Sequence, residues 1–355
     1  MKLDIQKFLF SYSSEKLDSL KVLQETKLPI FIFGEGEYAN IVSEFLESNN
    51  IKIVCNFTSN NNNLFSNGNN FTFSDEQFFI VLGIADQSKA TNLLNSLKSQ
   101  LINRASIYYF ALNPFYNLSE ELLIQNFDRI NLVLNNLDDI ESKEILLNYL
   151  RSALSFSNEY LIQNLPQYFP QFFRLTNHEI VVDGGAYIGD TLIEYKLIFN
   201  TFKEYHAFEP SNSNYLQLST NSNFENIYIY NKGLGLSNEM LLFNDGITES
   251  STSSFLKSTF NQNNLKEVQI VRLDDLINDV SFIKLDIEGA ELDALVGRAS
   301  LISRHKPKIA VCIYHKFEHL WQIQEFLYSI RSDYKFSIRY HSIPKILTEL
   351  VLYAY

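Results

Sequence analysis

The sequence predicts an α/β protein with two sheets of mainly parallel strands, each covered by helices. Three observations carry this. Short apolar runs of strand length alternate with amphipathic segments of helix length along most of the chain, the pattern of parallel strands joined by crossover helices. Two glycine-bearing turns, Gly34-Glu35-Gly36-Glu37-Tyr38-Ala39 and Asp183-Gly184-Gly185-Ala186-Tyr187-Ile188-Gly189-Asp190-Thr191, each follow an apolar run and open a helical pattern. The chain of 355 residues exceeds one domain of roughly 150 residues, so two domains are expected.

In chain order, residues 1–27 read as one or two amphipathic helices. Pro29–Phe33 reads as a buried strand, followed by a helix to about Ser48 and a second strand at Ile51–Phe57. The Asn-rich stretch Asn49–Asn70 reads as a compositionally biased loop. A third strand at Phe78–Ile84, a helix at Gln87–Leu101 and a fourth strand at Ser106–Leu112 complete a first, Rossmann-like domain over residues 1–118. Residues 119–165 change character. Leu122, Phe127, Ile130, Leu134, Leu137, Ile145 and Tyr149 recur at roughly helical spacing, which predicts a helical connector. Pro166 and Pro170 punctuate its end.

The second domain is expected over residues 166–355. Its strands are predicted at Ile180–Asp183, Glu204–Glu209, Ile227–Lys232, Phe282–Ile287 and Ile309–Tyr314, with helices at Asp190–Asn200, Ser213–Asn221, Ala290–Ser303 and Glu318–Ser329. Two more strands, Lys335–Tyr340 and Leu350–Tyr353, close the chain. The segment between them is shorter than the dozen or so residues of a crossover, so this pair should be antiparallel.

Composition narrows the function. A net charge of −12 argues against a nucleic-acid or anionic-membrane partner, because phosphate binding needs clustered Lys and Arg. The apolar runs fall short of the ~18 residues that suggest a membrane span, and Met1-Lys2-Leu3-Asp4 does not begin a secretory signal. Cys55 and Cys312, the two cysteines, form neither a disulfide framework nor a metal-ligand spacing. A soluble protein in a reducing cytoplasm is expected.

The turn Asp183–Thr191 offers glycines where a backbone must turn sharply near a ligand. Gly184, Gly185 and Gly189 supply that freedom, and Ala186, Tyr187, Asp190 and Thr191 share the loop. Further on, Ala207-Phe208-Glu209-Pro210 places a carboxylate at the end of the second strand, with Pro210 after it. A carboxylate there can accept both hydroxyls of a ribose. A dinucleotide and S-adenosylmethionine both fit this outline, and charge separates them. A pyrophosphate would sit over the loop, which Asp183 and Asp190 make hostile to it. The sulfonium and ammonium of S-adenosylmethionine gain from the same carboxylates.

Asp286 and Glu288, in Phe282-Ile283-Lys284-Leu285-Asp286-Ile287-Glu288-Gly289-Ala290-Glu291, fall at the carboxyl end of a strand, where open α/β sheets bind ligands. Lys284 is read as the partner of a nearby acid, and Glu291 as a carboxylate in a first helical turn. His315, just past the fifth strand, is the candidate general base for removing a hydroxyl proton. His319 stands four residues on, a spacing that also suits a divalent metal; no cysteine accompanies the pair and no metal ligand is assigned. Lys316 and Arg339 are alternatives as clamps for an anionic substrate.

These residues resemble the FkbM family of methyltransferases. The likeness is carried by Val181–Thr191, Phe208-Glu209-Pro210, Leu273-Asp274-Asp275-Leu276, Ile283–Glu291 and the ending Thr348–Ala354, and it covers roughly residues 166–355. The resemblance implies a parallel sheet with a terminal antiparallel strand, S-adenosylmethionine as cofactor, and contacts to it from Asp183, Gly185 and Glu209. It implies O-methylation, often of sugar hydroxyls in glycans, surface polysaccharides or natural products. It implies donor-site or substrate-site roles for Asp286 and Glu288. Gln167-Tyr168-Phe169 resembles a segment that leads into the glycine-rich strand and helps cover the donor. Many members carry an acid in the fifth strand before the histidine, whereas Ala310–Tyr314 has none.

The turn Gly34–Ala39 is of the Gly-x-Gly-x-x-Ala kind, but Glu35 and Glu37 oppose a pyrophosphate, and Cys55-Asn56-Phe57 offers no carboxylate to a ribose. The first domain is therefore expected to lack a dinucleotide. A structural role, a nucleotide-activated sugar acceptor and homodimerisation stand open for it. For the whole chain, the alternatives to an enzyme that methylates a small-molecule or glycan acceptor are a donor-binding regulatory protein and a nicotinamide-dependent oxidoreductase using the first domain.

Overall fold

The structure, a computed structural model, describes residues 15–34, 36–60, 63–70, 72–73, 77–84, 104–113, 115–156, 160–222, 224–244, 265–342 and 347–355. The helices expected before residue 15 and at Gln87–Leu101 lie outside the described residues. The chain divides into two compact units. One comprises residues 1–124, 145–163 and 342–348, the other residues 125–144, 164–341 and 349–355. Among the described residues, no helix is long and apolar enough to cross a membrane.

The first unit contains α1 (Glu15–Glu25), β1 (Ile30–Phe33), α2 (Glu37–Ser48), β2 (Cys55–Asn60), β3 (Asn63–Ser66), β4 (Asn69–Asn70), β5 (Phe78–Leu82) and β6 (Ala105–Tyr108). The sheet order is β4-β3-β2-β1-β5-β6. β1 runs parallel to both of its neighbours, and all four of its residues are buried. Successive side chains point to opposite faces. Ile30 and Ile32 join Leu20, Val42, Leu46 and Phe110 in one core, while Phe31 meets Phe57, Phe73 and Phe78 edge-on. The Asn-rich stretch is not simply a loop, as its composition implied. It contains β3 and β4, paired antiparallel, and the turn between them is Asn67-Gly68 with φ of 50 and 74. Asn-Gly is the pair that enters such left-handed hairpin turns at least cost.

Three helices follow, α3 (Glu120–Gln125), α4 (Phe127–Asn136) and α5 (Ile140–Ser155). Residues 125–144 group with the second unit and 145–163 with the first. α4 buries Ile130, Val133 and Leu134 and packs on α10 (His319–Ile330) of the second unit's own fold.

The second unit is built on β7 (Ile180–Gly184), α6 (Asp190–Phe199), β8 (Glu204–Phe208), α7 (Asn212–Asn221), β9 (Ile227–Tyr230), β13 (Phe282–Leu285), β14 (Lys308–Cys312), β15 (Phe336–Tyr340) and β16 (Leu350–Ala354). Its order is β15-β16-β14-β13-β7-β8-β9. Five strands are parallel, and β16 is antiparallel to both β14 and β15, as the short final connection predicts. The central strands are buried along their whole length, which is why they read as continuous apolar runs. The chain winds outward from β7 through β9 and then returns to β13. β7 and β13 therefore flank the switch in strand order, and the crevice for a ligand opens beyond their carboxyl ends.

Two features differ from expectation. A small sheet of β10 (Gly233–Leu234), β11 (Glu239–Asn244) and β12 (Leu265–Val271) lies between β9 and β13 in sequence. The helix expected at Ala290–Ser303 is two, α8 (Glu291–Val296) and α9 (Ala299–His305). The break follows from packing. A Cβ on Gly297 would stand 2.3 Å from the Gly235 carbonyl oxygen. The buried Arg298 donates to the Leu273 carbonyl at 3.0 Å and the Ile277 carbonyl at 3.3 Å.

Candidate methyl-transfer site

β7 ends in Asp183 and Gly184, and the chain turns at Gly185 with φ +73. A Cβ on Gly185 would stand 1.8 Å from the Asp286 carbonyl oxygen, so only glycine lets the exits of β7 and β13 come this close. The Gly185 and Ala186 N–H groups both donate to the Phe208 carbonyl at 3.0 Å, tying the loop to the end of β8. Gly189, also left-handed at φ +94, stands at the start of α6.

Glu209 follows β8 and is buried. It accepts from the Tyr187 N–H and the Ser211 N–H, each at 2.9 Å. Burial pushes its carboxyl up to about 7, against the pull of these two N–H groups, Asn214 and Lys284. An acid left this hungry for donors suits a diol.

Asp183 is fully buried. Its Oδ1 lies 3.0 Å from Lys284 Nζ, and its Oδ2 accepts the Tyr205 hydroxyl at 2.7 Å. Lys284 Nζ also donates to the Gly185 carbonyl at 2.7 Å and the Gly184 carbonyl at 3.3 Å. Burial works against this ammonium, but Asp183, Asp286 and Asp190 outweigh it and raise its pKa. Lys284 and Asp183 thus form a strut between β13 and β7. Asp190 is raised mainly by burial, with Lys284 opposing and Asp183 adding.

Over the crevice lies a cavity of about 280 Å³. Gly185, Tyr187, Asp190, Thr191, Glu209 and Pro210 line one part of it. Asp286, Glu288, Tyr168, Tyr314, Gln167 and Glu349 line another. Here the Tyr168 hydroxyl donates to Asp286 Oδ2 at 2.9 Å. The Tyr314 hydroxyl reaches Asp286 Oδ1 at 3.3 Å and Glu349 Oε1 at 3.0 Å, and the Gln167 amide donates to Glu349 Oε2 at 2.7 Å. Glu288 and Glu349 have φ of 55 and 56, a left-handed backbone that costs a non-glycine residue about 1–3 kcal/mol. Burial pushes Glu288 up to about 8, with His315 opposing and Asp286, Glu291 and Glu349 adding. Burial and then Asp286 push Glu349 up to about 7, while Gln167, Tyr314 and His315 hold it back.

Behind the acids, His315 is buried and outside the cavity lining. Its Nδ1 lies 2.7 Å from Glu291 Oε1, and its Nε2 lies 3.5 Å from both Asp286 Oδ1 and Glu288 Oε2. Glu291 Oε1 also accepts from the Ile287 and Gly289 N–H groups, and its Oε2 lies 3.2 Å from His319 Nδ1. Burial works against a charged His315, but Glu291, Glu288 and Asp286 outweigh it and raise the ring to about 10. Asp286, Glu291 and His315 come close enough together to hold one cation. The 2.7 Å contact between His315 Nδ1 and Glu291 Oε1 is the tightest ion pair within this cluster.

Residues 183–348 match the family model of the methyltransferase FkbM domain. The chain carries an FkbM-family methyltransferase domain. It is thereby an S-adenosylmethionine-dependent methyltransferase. The chain is similar to the crystal structure of methyltransferase FkbM from Methylobacillus flagellatus KT, at 20% identity and a TM-score of 0.73, over 98% of this chain and 95% of that one. At that identity the likeness is one of fold, and it extends beyond the FkbM domain to nearly the whole chain. An rRNA methylase from Streptococcus thermophilus matches at 14% identity and a TM-score of 0.33, over 54% of this chain and 96% of that one. A Streptococcus mutans protein solved in complex with SAH matches at 10% identity and 0.32, over 54% and 99%. Likeness at these two lower scores is too slight to bear on function. No curated protein matches the sequence.

Within the FkbM domain, the cavity gathers nine of the residues singled out from sequence: Gly185, Tyr187, Asp190, Thr191, Glu209, Pro210, Lys284, Asp286 and Glu288, and Gln167 and Tyr168 from the segment before it join them. Asp183, Gly184, Ala186, Gly189 and His315 stand behind its wall. Both oxygens of Asp183 face protein groups, which gives it a supporting place in the loop. Lys316 is exposed, and Arg339 pairs with Asp139 at 3.3 Å and Glu141 at 3.1 Å. Neither lines the cavity as an anion clamp. The sequence reading missed Tyr314 and Glu349. The signal for Glu349 was present: a final strand antiparallel to its neighbour begins at the carboxyl edge of the parallel strands, and Glu349 stands just before it.

Proposed function

We propose that the domain methylates a hydroxyl of a sugar, in a glycan, a surface polysaccharide or a natural product. The observation that carries this reading is the pairing of acids and tyrosines at one end of the cavity: Asp286, Glu288 and Glu349 beside Tyr168 and Tyr314. Carboxylates accept hydrogen bonds from hydroxyls, and aromatic faces meet the C–H faces of a pyranose. The same acids oppose a phosphate near the reacting centre, so a nucleotide-activated acceptor would have to keep its pyrophosphate clear of them.

S-adenosylmethionine supplies an electrophilic methyl group. Glu209, with backbone N–H groups fixing its carboxylate, would accept from the ribose hydroxyls. Gly185 would admit the amino-acid portion, with Asp190 near its ammonium. Asp286 and Glu288 would orient the acceptor hydroxyl. Alignment of that hydroxyl with the methyl carbon is the protein's main contribution. His315, held as an imidazolium, would fix the two carboxylates rather than accept a proton itself.

The first unit fits a supporting role without a dinucleotide. Gly34 is explained by packing, because a Cβ there would stand 2.4 Å from the Gly83 carbonyl oxygen. Cys55 and Cys312, both free thiols, fit a reducing compartment such as the cytoplasm.

Titration calorimetry with S-adenosylhomocysteine and, separately, NADH tests the donor. Saturable binding of the first alone is expected. Transfer of radiolabelled methyl to a panel of methyl glycosides of hexoses, deoxyhexoses and amino sugars then tests the acceptor class. A folded enzyme that binds the donor product but labels none of them is not acting on simple sugars.

A further inference from the structure

We infer that Glu349 is the general base that takes the proton from the acceptor hydroxyl, and that Tyr314 and Gln167 are the residues that position it. The inference rests on the reading of the site as a hydroxyl methyltransferase. A base must be exposed to the reacting atoms, must be held still, and must keep an oxygen lone pair for the proton.

His315 is held still by Glu291 but is not exposed to the cavity. It lies behind the cavity wall, and its nitrogens face Glu291, Asp286 and Glu288. Glu349 meets all three. It lines the cavity with Asp286 and Glu288. Its backbone is held left-handed at φ 56. Its two oxygens take one donor each, from Tyr314 and Gln167, which leaves each oxygen a second lone pair. The groups arrayed around it are Asp286 and Glu288 from the end of β13, Tyr314 and the His315 imidazolium from the end of β14, and Tyr168 and Gln167 from the segment before β7. Burial and Asp286 raise the Glu349 carboxyl to about 7, close to the value at which a carboxylate serves best as a base in neutral solution. Glu288 is the weaker candidate, since its Oε2 points toward His315.

In the transfer step the acceptor oxygen forms its bond to the methyl carbon as the carbon–sulfur bond breaks. That electron pair stays on sulfur, leaving a neutral thioether. The hydroxyl proton passes to Glu349, which later releases it to solvent.

The test compares wild type with Glu349→Gln on whichever glycoside the wild type labels, across a pH series. Wild-type kcat is expected to rise with pH through about 7 and then level. Glu349→Gln should lower kcat by about 10²–10⁴-fold, abolish the rising limb, and leave S-adenosylhomocysteine affinity within about threefold. Tyr314→Phe should keep the limb but displace its midpoint upward, because a hydrogen bond favouring the carboxylate is lost. If Glu349→Gln does not fold, Glu349→Asp replaces it, and should lower kcat with the limb retained. A Glu349→Gln enzyme with near wild-type kcat and an intact limb overturns the assignment while the methyltransferase reading stands. A wild type that binds the donor product but labels no glycoside sinks the reading beneath it, and the assignment with it.

Discussion

His315 and Glu291 form an ion pair, Nδ1 to Oε1 at 2.7 Å, with both side chains shielded from solvent. Burial opposes both charges. His315 and His319 nonetheless hold the Glu291 carboxyl far below the usual range, and Glu291, Glu288 and Asp286 hold His315 up at about 10. Glu291 also accepts from the backbone N–H groups of Ile287 and Gly289. One carboxylate therefore shapes the loop after β13 and sets the charge of the histidine behind the site.

Removing one partner of a buried pair leaves the other charge uncompensated. Glu291→Gln should cost roughly 3–5 kcal/mol of stability, read as a lower urea midpoint. The raised pKa of His315 fixes the sign. Its contribution is fully present below its ordinary value of 6.5 and is lost as pH rises through about 10. The gap between wild type and Glu291→Gln should therefore narrow on the alkaline side. A gap that stays constant there would show that His315 is neutral in the folded state.

Lys284 and Asp183 make a second buried pair, at 3.0 Å, with Tyr205 completing Asp183. Lys284→Met should be destabilising by about 3–5 kcal/mol, because Asp183 is left with a buried charge that the Tyr205 hydroxyl alone does not compensate. Adding Asp183→Asn should restore much of that loss, since the pair as a whole adds less than its breaking costs. If Asp183 acts as a strut, the double variant should bind S-adenosylhomocysteine within about tenfold of wild type. If Asp183 itself contacts the donor, the double variant should bind no better than Asp183→Asn alone.

Much of this fold is legible in the sequence, for identifiable reasons. The parallel strands are covered on both faces, so β7, β13 and β14 stand out as apolar runs. The glycine loop is legible because a backbone atom, the Asp286 carbonyl oxygen, occupies the space a side chain would need. The small sheet of β10, β11 and β12 is not. Met240, Leu241 and Leu242 are all exposed, and an apolar run without alternation gives no strand period. The acid end of the cavity is only half legible. Asp286 and Glu288 share one strand exit, but Tyr168 and Glu349 reach it from residues 118 apart and 63 further on, through topology that composition does not display.

Glu209 gives the donor site a pH dependence. Its carboxyl is raised to about 7, and only the ionised form accepts from two ribose hydroxyls at once. The dissociation constant of S-adenosylhomocysteine should therefore fall as pH rises through about 7 and level above it. Glu209→Gln should weaken binding by about 10–100-fold, the worth of a charge-assisted hydrogen bond, and remove the pH dependence. Calorimetry on a variant shown to be folded by circular dichroism checks both. A wild-type constant that is flat across this range would take Glu209 out of the ribose contact.

Gly185 and Gly36 separate the two glycine turns experimentally. Both have positive φ, +73 and +115, so alanine is strained at either position by about 1 kcal/mol or more. The space around them differs. A Cβ on Gly36 meets nothing within 4 Å, whereas on Gly185 it would lie 1.8 Å from a backbone oxygen. Backbone cannot swing aside as a flexible side chain can, so Gly185→Ala must push the loop away from the β13 exit. That displacement moves the Tyr187 N–H off Glu209 and distorts the cavity wall. Gly185→Ala is expected to lose S-adenosylhomocysteine binding by about 100-fold or more, since buried polar partners are left unmade. Gly36→Ala should leave binding within about twofold, its cost being confined to local backbone strain. Equal losses from the two substitutions would mean that the first turn also bears on the donor, contrary to the packing reason found for Gly34.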